Sequence, residues 1–227
     1  MNRLEKMGDF FNTRSESYDE VHTSGIDGGI ESKKVIAELL PSSTESLLDI
    51  GIGTGLELEA IFLRFPNIHI TGMDIAENML AHLREKYKKE YDGKQIKLLN
   101  RSYVDYDFIE QEYDAVISVM TLHHYSHEVK IGIYRNILNT LKSGGVYIES
   151  DYMISELNNT NPQAIEDELF QKLTALIKEQ DLDENAEYHF DTPCTVPNQI
   201  QMLYAAGFSS VEITHRFGNT TVLRCTK

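Results

Sequence analysis

The segment Leu47-Leu48-Asp49-Ile50-Gly51-Ile52-Gly53-Thr54-Gly55 constrains this chain more than any other. A short apolar run leads into three closely spaced glycines, and a helical pattern follows. Such glycines let the backbone turn sharply and let a ligand approach without meeting a Cβ. The start of the following helix adds free N–H groups. In a doubly wound α/β fold, nucleotides bind at the carboxyl end of a central strand. The spacing here is G-x-G-x-G, whereas a dinucleotide dehydrogenase reads G-x-G-x-x-G, and Leu56 stands where the third of those glycines falls. Asp49 adds a negative charge that disfavours a pyrophosphate and suits a ligand with an ammonium and a sulfonium. A nicotinamide-dependent oxidoreductase is disfavoured on both grounds.

Strand-like and helix-like patterns alternate around this turn. Residues 5–11 read as a short helix followed by a loop. Residues 31–40 have helical periodicity and stop at Pro41, and residues 55–65 read as a helix closed by Pro66. IHITGMD, QIKLLN, YDAVISVM and VYIESD read as strands, separated by helices at 76–90 and 128–141. The continuous apolar run of YDAVISVM predicts a strand buried on both faces. SSVEITHRF and TTVLRCTK flank Gly218-Asn219 and read as an antiparallel hairpin. The alternation predicts a single α/β domain over 227 residues: a Rossmann-like, doubly wound, mostly parallel seven-stranded sheet with a C-terminal antiparallel hairpin. Residues 151–193 interrupt the alternation after the fifth strand. There Asn161 and Pro162 suit an N-cap and first turn, and Ile165, Leu169, Leu173, Leu176 and Ile177 line one helical face. This is a helical insertion, packed on the domain or closing over a pocket as a lid.

Asp74 ends the second strand, 19 residues after Gly55. A carboxylate at that place can accept hydrogen bonds from both hydroxyls of a ribose; its structural alternative is a helix N-cap. With both signals read, the chain resembles the class I S-adenosylmethionine-dependent methyltransferase family. LLDIGIGTG looks like the family's first motif, GMDIAENML its second, and YDAVISVMTLHH the segment beside the methyl donor. LKSGGVYIESD and LYAAGFSSVEI resemble the later stretches, so the likeness runs over roughly residues 32–227. Residues 1–30 match less clearly, although FNTRSESYDE looks like an aromatic segment that covers the cofactor. The resemblance implies S-adenosyl-L-methionine as cofactor, held by Asp49, Gly51, Gly53, Gly55, Asp74, Ile75 and Met120, with Tyr18 and Arg14 as candidates to close over it. Many members place an acid after the third strand for the adenine amino group. Here that position falls on Ser102, so Ser102 and Tyr103 become the adenine candidates, with Asp105 as a fallback.

In-line displacement at a sulfonium needs alignment and desolvation more than proton transfer. A base is required only for a nucleophile that must lose a proton. His123 and His124, just beyond the fourth strand, are the candidates. His127 lies nearby, but adjacent residues seldom converge on one ion and no acidic or thiol partner is obvious in the sequence, so no metal is expected. The formal net charge of −15 disfavours a phosphate backbone as substrate, and the cluster Arg84, Lys86, Lys88, Lys89 reads as a solvated helix end. Acidity and the insertion favour a small-molecule acceptor. An RNA or protein acceptor is the alternative within the enzyme class, and a non-catalytic cofactor-binding module the alternative outside it. Cys194 and Cys225 match no metal or redox spacing, no secretion signal is visible, and no stretch approaches the ~18 apolar residues of a membrane span. These features suit a cytoplasmic protein.

Overall fold

The computed structural model describes residues 3–227. Its centre is one seven-stranded sheet in the order β3-β2-β1-β4-β5-β7-β6. The strands are β1 (Ser46–Ile50), β2 (His69–Asp74), β3 (Ile96–Asn100), β4 (Tyr113–Val119), β5 (Leu141–Tyr152), β6 (Ser210–Phe217) and β7 (Thr220–Thr226). Strands β1 to β5 pair in parallel, and β7 runs antiparallel between β5 and β6. The expected mixed sheet and terminal hairpin are both present.

Period-two alternation sends neighbouring residues of each strand to opposite faces. Leu48, Ile50, Val116 and Tyr147 join one core with Tyr134, Ile137 and Leu203. Leu47, Ile117 and Ile148 join the other with Ile36, Leu58, Ile61, Leu80 and Leu83. Strand β4 is buried on both faces apart from Asp114, as its apolar run predicts. The helices α3 (Glu31–Leu39), α4 (Leu58–Arg64) and α5 (Glu77–Lys86) supply the second core, while α7 (His127–Thr140) and α9 (Val196–Ala206) supply the first. Strand order reverses between β1 and β4, which places a crevice at their carboxyl ends.

Four local readings change. The N-terminal helix α1 spans Met7–Arg14 rather than 5–11, and the expected loop after it holds a further helix, α2 (Tyr18–Ser24). The helix expected over 76–90 breaks at Tyr87, whose φ of −110° and ψ of 38° leave helical space, and α6 (Lys88–Asp92) restarts beyond it. Strand β5 begins at Leu141, five residues earlier than the apolar pattern suggests, with an irregularity in its pairing with β4. The insertion forms α8 (Pro162–Glu179), with Asn161 Oδ1 accepting from Ala164 N as the N-cap. Of its apolar stripe only Leu176 is buried, and Ile165 is exposed. Instead α8 is anchored by buried Glu166, which accepts from Thr195 N and from Asn198 Nδ2.

Candidate functional site

The turn after β1 is stitched to β2 by Gly51 N and Ile52 N, which both donate to Met73 O at 2.8 and 3.1 Å. Its first two glycines sit in left-handed space and have different duties. At Gly51 (φ +69°) a Cβ would lie 2.0 Å from Thr121 Oγ1, so the turn and the loop after β4 touch there with no room to spare. At Gly53 (φ +53°) a Cβ would find its nearest neighbours, Tyr18, Asp74 and Gly51, at 3.9–4.0 Å and would project into the crevice. Gly55 does not line the crevice. Its carbonyl accepts from Tyr87 Oη, and it packs on Leu58 and Leu83.

Asp74 faces the turn across this crevice. Its Oδ2 accepts from Gly53 N at 2.9 Å and its Oδ1 from Ala76 N at 2.8 Å. The residue therefore shapes the entry to α5 as well as the crevice, and each oxygen keeps a lone pair. Burial pushes its carboxyl up to about 6, against the pull of the Ala76 and Gly53 amides. Ile75, Ser102, Tyr103, Met120 and Tyr18 line the same crevice, together with Phe11, Met79, Thr121 and Tyr125. Ser102 Oγ already accepts from Val104 N, and Tyr103 Oη meets Thr121 Oγ1 at 3.2 Å. The fallback Asp105 is exposed and stays outside the crevice lining.

Asp49 lies beneath the turn, 1% exposed, with neither carboxyl oxygen hydrogen-bonded; Glu57, which the sequence reading missed, is 4% exposed with Oε1 unpartnered. Burial and each other's proximity raise the pKa of Asp49 well above the ordinary carboxylate value, and burial also raises Glu57. Both oxygens of Asp49 and one of Glu57, buried without a hydrogen bond, are costly in the free protein. A ligand ammonium brought to this end of the crevice offsets that cost. The orphaned acids, the Gly53 cradle and the free lone pairs of Asp74 together fit S-adenosyl-L-methionine, with its ammonium, sulfonium and ribose.

Next to the crevice opens a cavity of about 490 Å³. Phe11, Tyr18, Met120 and His124 border both spaces. Met120 holds its place in left-handed backbone (φ +51°), with its N–H donating to Ser150 O. Immediately after it, Leu122–His124 form one 3-10 turn. Asp151, at the carboxyl end of β5, fixes that turn: Oδ2 accepts from Leu122 N at 2.9 Å, and Oδ1 lies 2.6 Å from His123 Nδ1. The bond to His123 outweighs burial and holds the Asp151 carboxyl below its ordinary value. Thr192 N donates to His123 O, which brings Asp191 alongside. Three imidazoles approach Asp191 Oδ1: His124 Nδ1 at 3.2 Å, His123 Nε2 at 3.7 Å and His189 Nε2 at 3.8 Å. Burial and the neighbouring His123 push His124 down to about 4. Burial raises the Asp191 carboxyl, but His124 and the other imidazoles outweigh it and hold the group near about 2. The sequence showed no acidic partner for these histidines, yet a 3-10 turn sets both rings against a carboxylate from a remote loop. His127 takes no part and pairs with Glu166.

Two chain segments roof the cavity. Met7 N donates to Glu187 O and His189 N to Glu5 O, with Lys6 paired to Tyr188 between them. The His189 ring stacks on Phe10 with centroids 3.4 Å apart. Arg14 lines the cavity, but its guanidinium is bound to Glu5 and lies over Phe10. Asp19 fastens α2 to the turn by accepting from Thr54 Oγ1 and by an ion pair with Lys86. Besides Glu57, sequence reasoning missed Asp151, His189 and Asp191, and it reached Phe11 only as part of the segment FNTRSESYDE. Asp151 had a visible signal, an acid at the carboxyl end of the fifth strand. The others reach the site only through the roof.

Residues 47–145 match a family model described as a methyltransferase domain. The carboxy-S-adenosyl-L-methionine synthase of Nautilia profundicola is 22% identical over 221 residues, covering 95% of this chain and 93% of that protein. The human N-acetylserotonin methyltransferase, solved with S-adenosylmethionine, superposes with a TM-score of 0.67 at 17% identity, over 95% of this chain. This chain spans only 55% of the human one. DesVI of Streptomyces venezuelae superposes with a TM-score of 0.66 at 16% identity, covering 93% of this chain and 97% of its own.

Proposed function

We infer that this chain, which belongs to the class I S-adenosylmethionine-dependent methyltransferase family and carries its methyltransferase domain across residues 47–145, moves a methyl group to a small-molecule acceptor held in the 490 Å³ cavity. The observation that carries this reading is the shared wall. Phe11, Tyr18, Met120 and His124 separate a crevice suited to the donor from a cavity suited to a second molecule. A nucleophile in the cavity approaches the donor through that wall.

The donor, when bound, supplies a methyl group on a positively charged sulfur. The chain's own residues do the rest. Asp74 accepts from the ribose hydroxyls, Gly53 gives the backbone close approach, and Asp49 with Glu57 supplies negative charge for the ammonium. Ser102 and Tyr103 border the adenine. Tyr18 and Phe11 keep water from the reacting atoms, which strengthens every charge interaction in the site. His123 and His124 line the cavity as the groups to deprotonate the acceptor's nucleophilic atom, directly or through a cation that they hold. The described part of the N-terminal segment, residues 3–30, and residues 151–193 act together as the covering segment, because the roof joins residues 5–7 to 187–189.

The size of the cavity supports a small acceptor rather than a polymer. No helix among the described residues is long and apolar enough to cross a membrane. Two buried free thiols and an acidic surface suit a cytoplasmic enzyme.

Calorimetric titration with S-adenosylmethionine, S-adenosylhomocysteine and NAD tests the donor assignment. Binding of the first two without NAD supports it and opens an acceptor screen. Binding of NAD alone overturns it.

A further inference from the structure

We propose that His123, His124 and Asp191 form a site for a divalent transition-metal ion at the floor of the acceptor cavity. One ligand atom from each, two imidazole nitrogens and a carboxylate oxygen, lies within 4.8 Å of the others. The separations from Asp191 Oδ1 are 3.2 Å to His124 Nδ1 and 3.7 Å to His123 Nε2. Two ligands bound tetrahedrally at about 2.0–2.2 Å from one ion stand roughly 3.3–3.6 Å apart. The two separations from Asp191 bracket that range.

The surroundings of each ligand point the same way. Asp151 sits 2.6 Å from His123 Nδ1, the arrangement in which a carboxylate takes the N–H of a ligating histidine and leaves Nε2 free for the metal. His124 is 7% exposed, and its Nδ1 has no hydrogen-bond partner despite its closeness to Asp191. A buried, unpartnered polar atom aimed at a carboxylate and a second imidazole calls for an explanation. A cation between them satisfies it. Among the described residues that line the cavity, Arg14 is the one Lys or Arg, and it is held by Glu5. His189 Nε2 stands 3.8 Å from Asp191 and is available as a further ligand.

The donor set of two imidazoles and one carboxylate suits zinc, cobalt, nickel or ferrous iron. Three protein ligands leave at least one position open to the cavity. There the ion would take an acceptor hydroxyl or thiol, which releases its proton to solvent as it coordinates. The new bond to carbon then forms as the sulfur–methyl bond breaks, and the bonding pair goes to sulfur. This consequence rests on the cavity being the acceptor site; the metal site itself does not.

A second group, His127, Glu166 and Cys194, also lies within ligand range. It is already satisfied. Glu166 takes hydrogen bonds from Thr195 N, Asn198 Nδ2 and His127, and Lys130 Nζ sits 3.2 Å from Cys194 Sγ, where its charge repels a metal.

The test uses the full chain, stripped with a chelator and titrated with Co²⁺ and then Zn²⁺ in the absence of donor and acceptor. The expected result is one Co²⁺ site with visible ligand-field bands and no thiolate-to-cobalt charge transfer. Asp191→Asn and His124→Ala should each weaken it at least about tenfold. Asp191→Asn should still bind S-adenosylmethionine like the parent, showing that it is folded. Absence of Co²⁺ and Zn²⁺ binding overturns the proposal. So does binding that survives both substitutions and is lost in Cys194→Ser. S-adenosylmethionine titration of the stripped protein reads the methyltransferase assignment separately, so the two ideas fail independently.

Discussion

Replacing Asp74 by Asn tests the donor crevice at its most constrained point. Both carboxylate oxygens accept from backbone amides, Gly53 N at 2.9 Å and Ala76 N at 2.8 Å. An amide side chain cannot serve both, because whichever way it turns its NH₂ faces one of the two N–H groups. Donor binding also loses a charged acceptor for the ribose. A hydrogen bond to a charged group contributes about 1.5–3 kcal/mol, and a neutral replacement recovers part of it. The expected loss is about 1–3 kcal/mol, or roughly 5- to 150-fold in Kd. The pH dependence adds a second signature. Burial sets Asp74 near about 6 in the free protein, so below that pH donor binding must first expel a proton. Affinity should therefore fall as pH drops through about 6, by up to about tenfold per unit, and level off above it. Asp49 and Glu57 also titrate upward of their ordinary range, and the Asp74 charge is one cause of the Asp49 shift. The difference between the parent and Asp74→Asn therefore reads Asp74 together with its effect on Asp49. Calorimetry with S-adenosylmethionine between roughly pH 5 and pH 8 measures it. A folded Asp74→Asn protein with parental affinity and a parental pH profile would refute the assignment.

Three further substitutions separate binding from folding. Gly53→Val places a branched side chain in the crevice, where the nearest atoms are 3.9 Å from its Cβ, and strains the backbone at φ +53°; Tm should fall, donor affinity of the folded fraction should fall as well, and normal affinity in a folded variant would show that the turn does not face the ligand. Gly51→Ala should unfold more easily, since its Cβ would meet Thr121 Oγ1 at 2.0 Å and its φ is +69°. Strain and overpacking of about 2–4 kcal/mol lower Tm by about 5–15 °C, and an unchanged melting curve counts against the contact. Asp49→Asn removes an unpartnered buried acid, so the free protein should gain about 1–3 kcal/mol of stability while losing affinity for the donor. No change in either would show that Asp49 neither strains the turn nor serves the ammonium.

The strands of the sheet, its terminal hairpin and the crevice at the glycine turn were legible because local rules write them. Apolar runs mark the strands, the glycine spacing marks the turn, and Asp74 stands at a fixed distance from it. Gly53, Asp74, Ile75, Ser102, Tyr103, Met120 and Tyr18 all line the crevice. Asp49 and Gly55 belong to the same motif but work from beneath it, one as buried charge and the other as packing. A motif gives residue identity, not the direction in which a side chain looks. The acceptor cavity was less legible. Asp191 and His189 reach it through hydrogen bonds to residues far away in sequence, Thr192 to His123 and His189 to Glu5. Periodicity carries no trace of such bonds. The stripe on α8 misled for the opposite reason: it promised a buried face, but Glu166 and its hydrogen bonds anchor the helix while most of the stripe stays half exposed.

The roof is pinned by main-chain bonds between residues 5–7 and 187–189. Such bonds are indifferent to which side chains the segments carry. His189 hangs from that ribbon into the cavity, Phe10 faces it from α1 just beyond, and Asp191 follows two residues after His189. New letters at these places leave the ribbon joined and the sheet untouched. The ribbon is thus an interchangeable faceplate: a lineage can trade one acceptor for another there while inheriting its donor machinery unaltered.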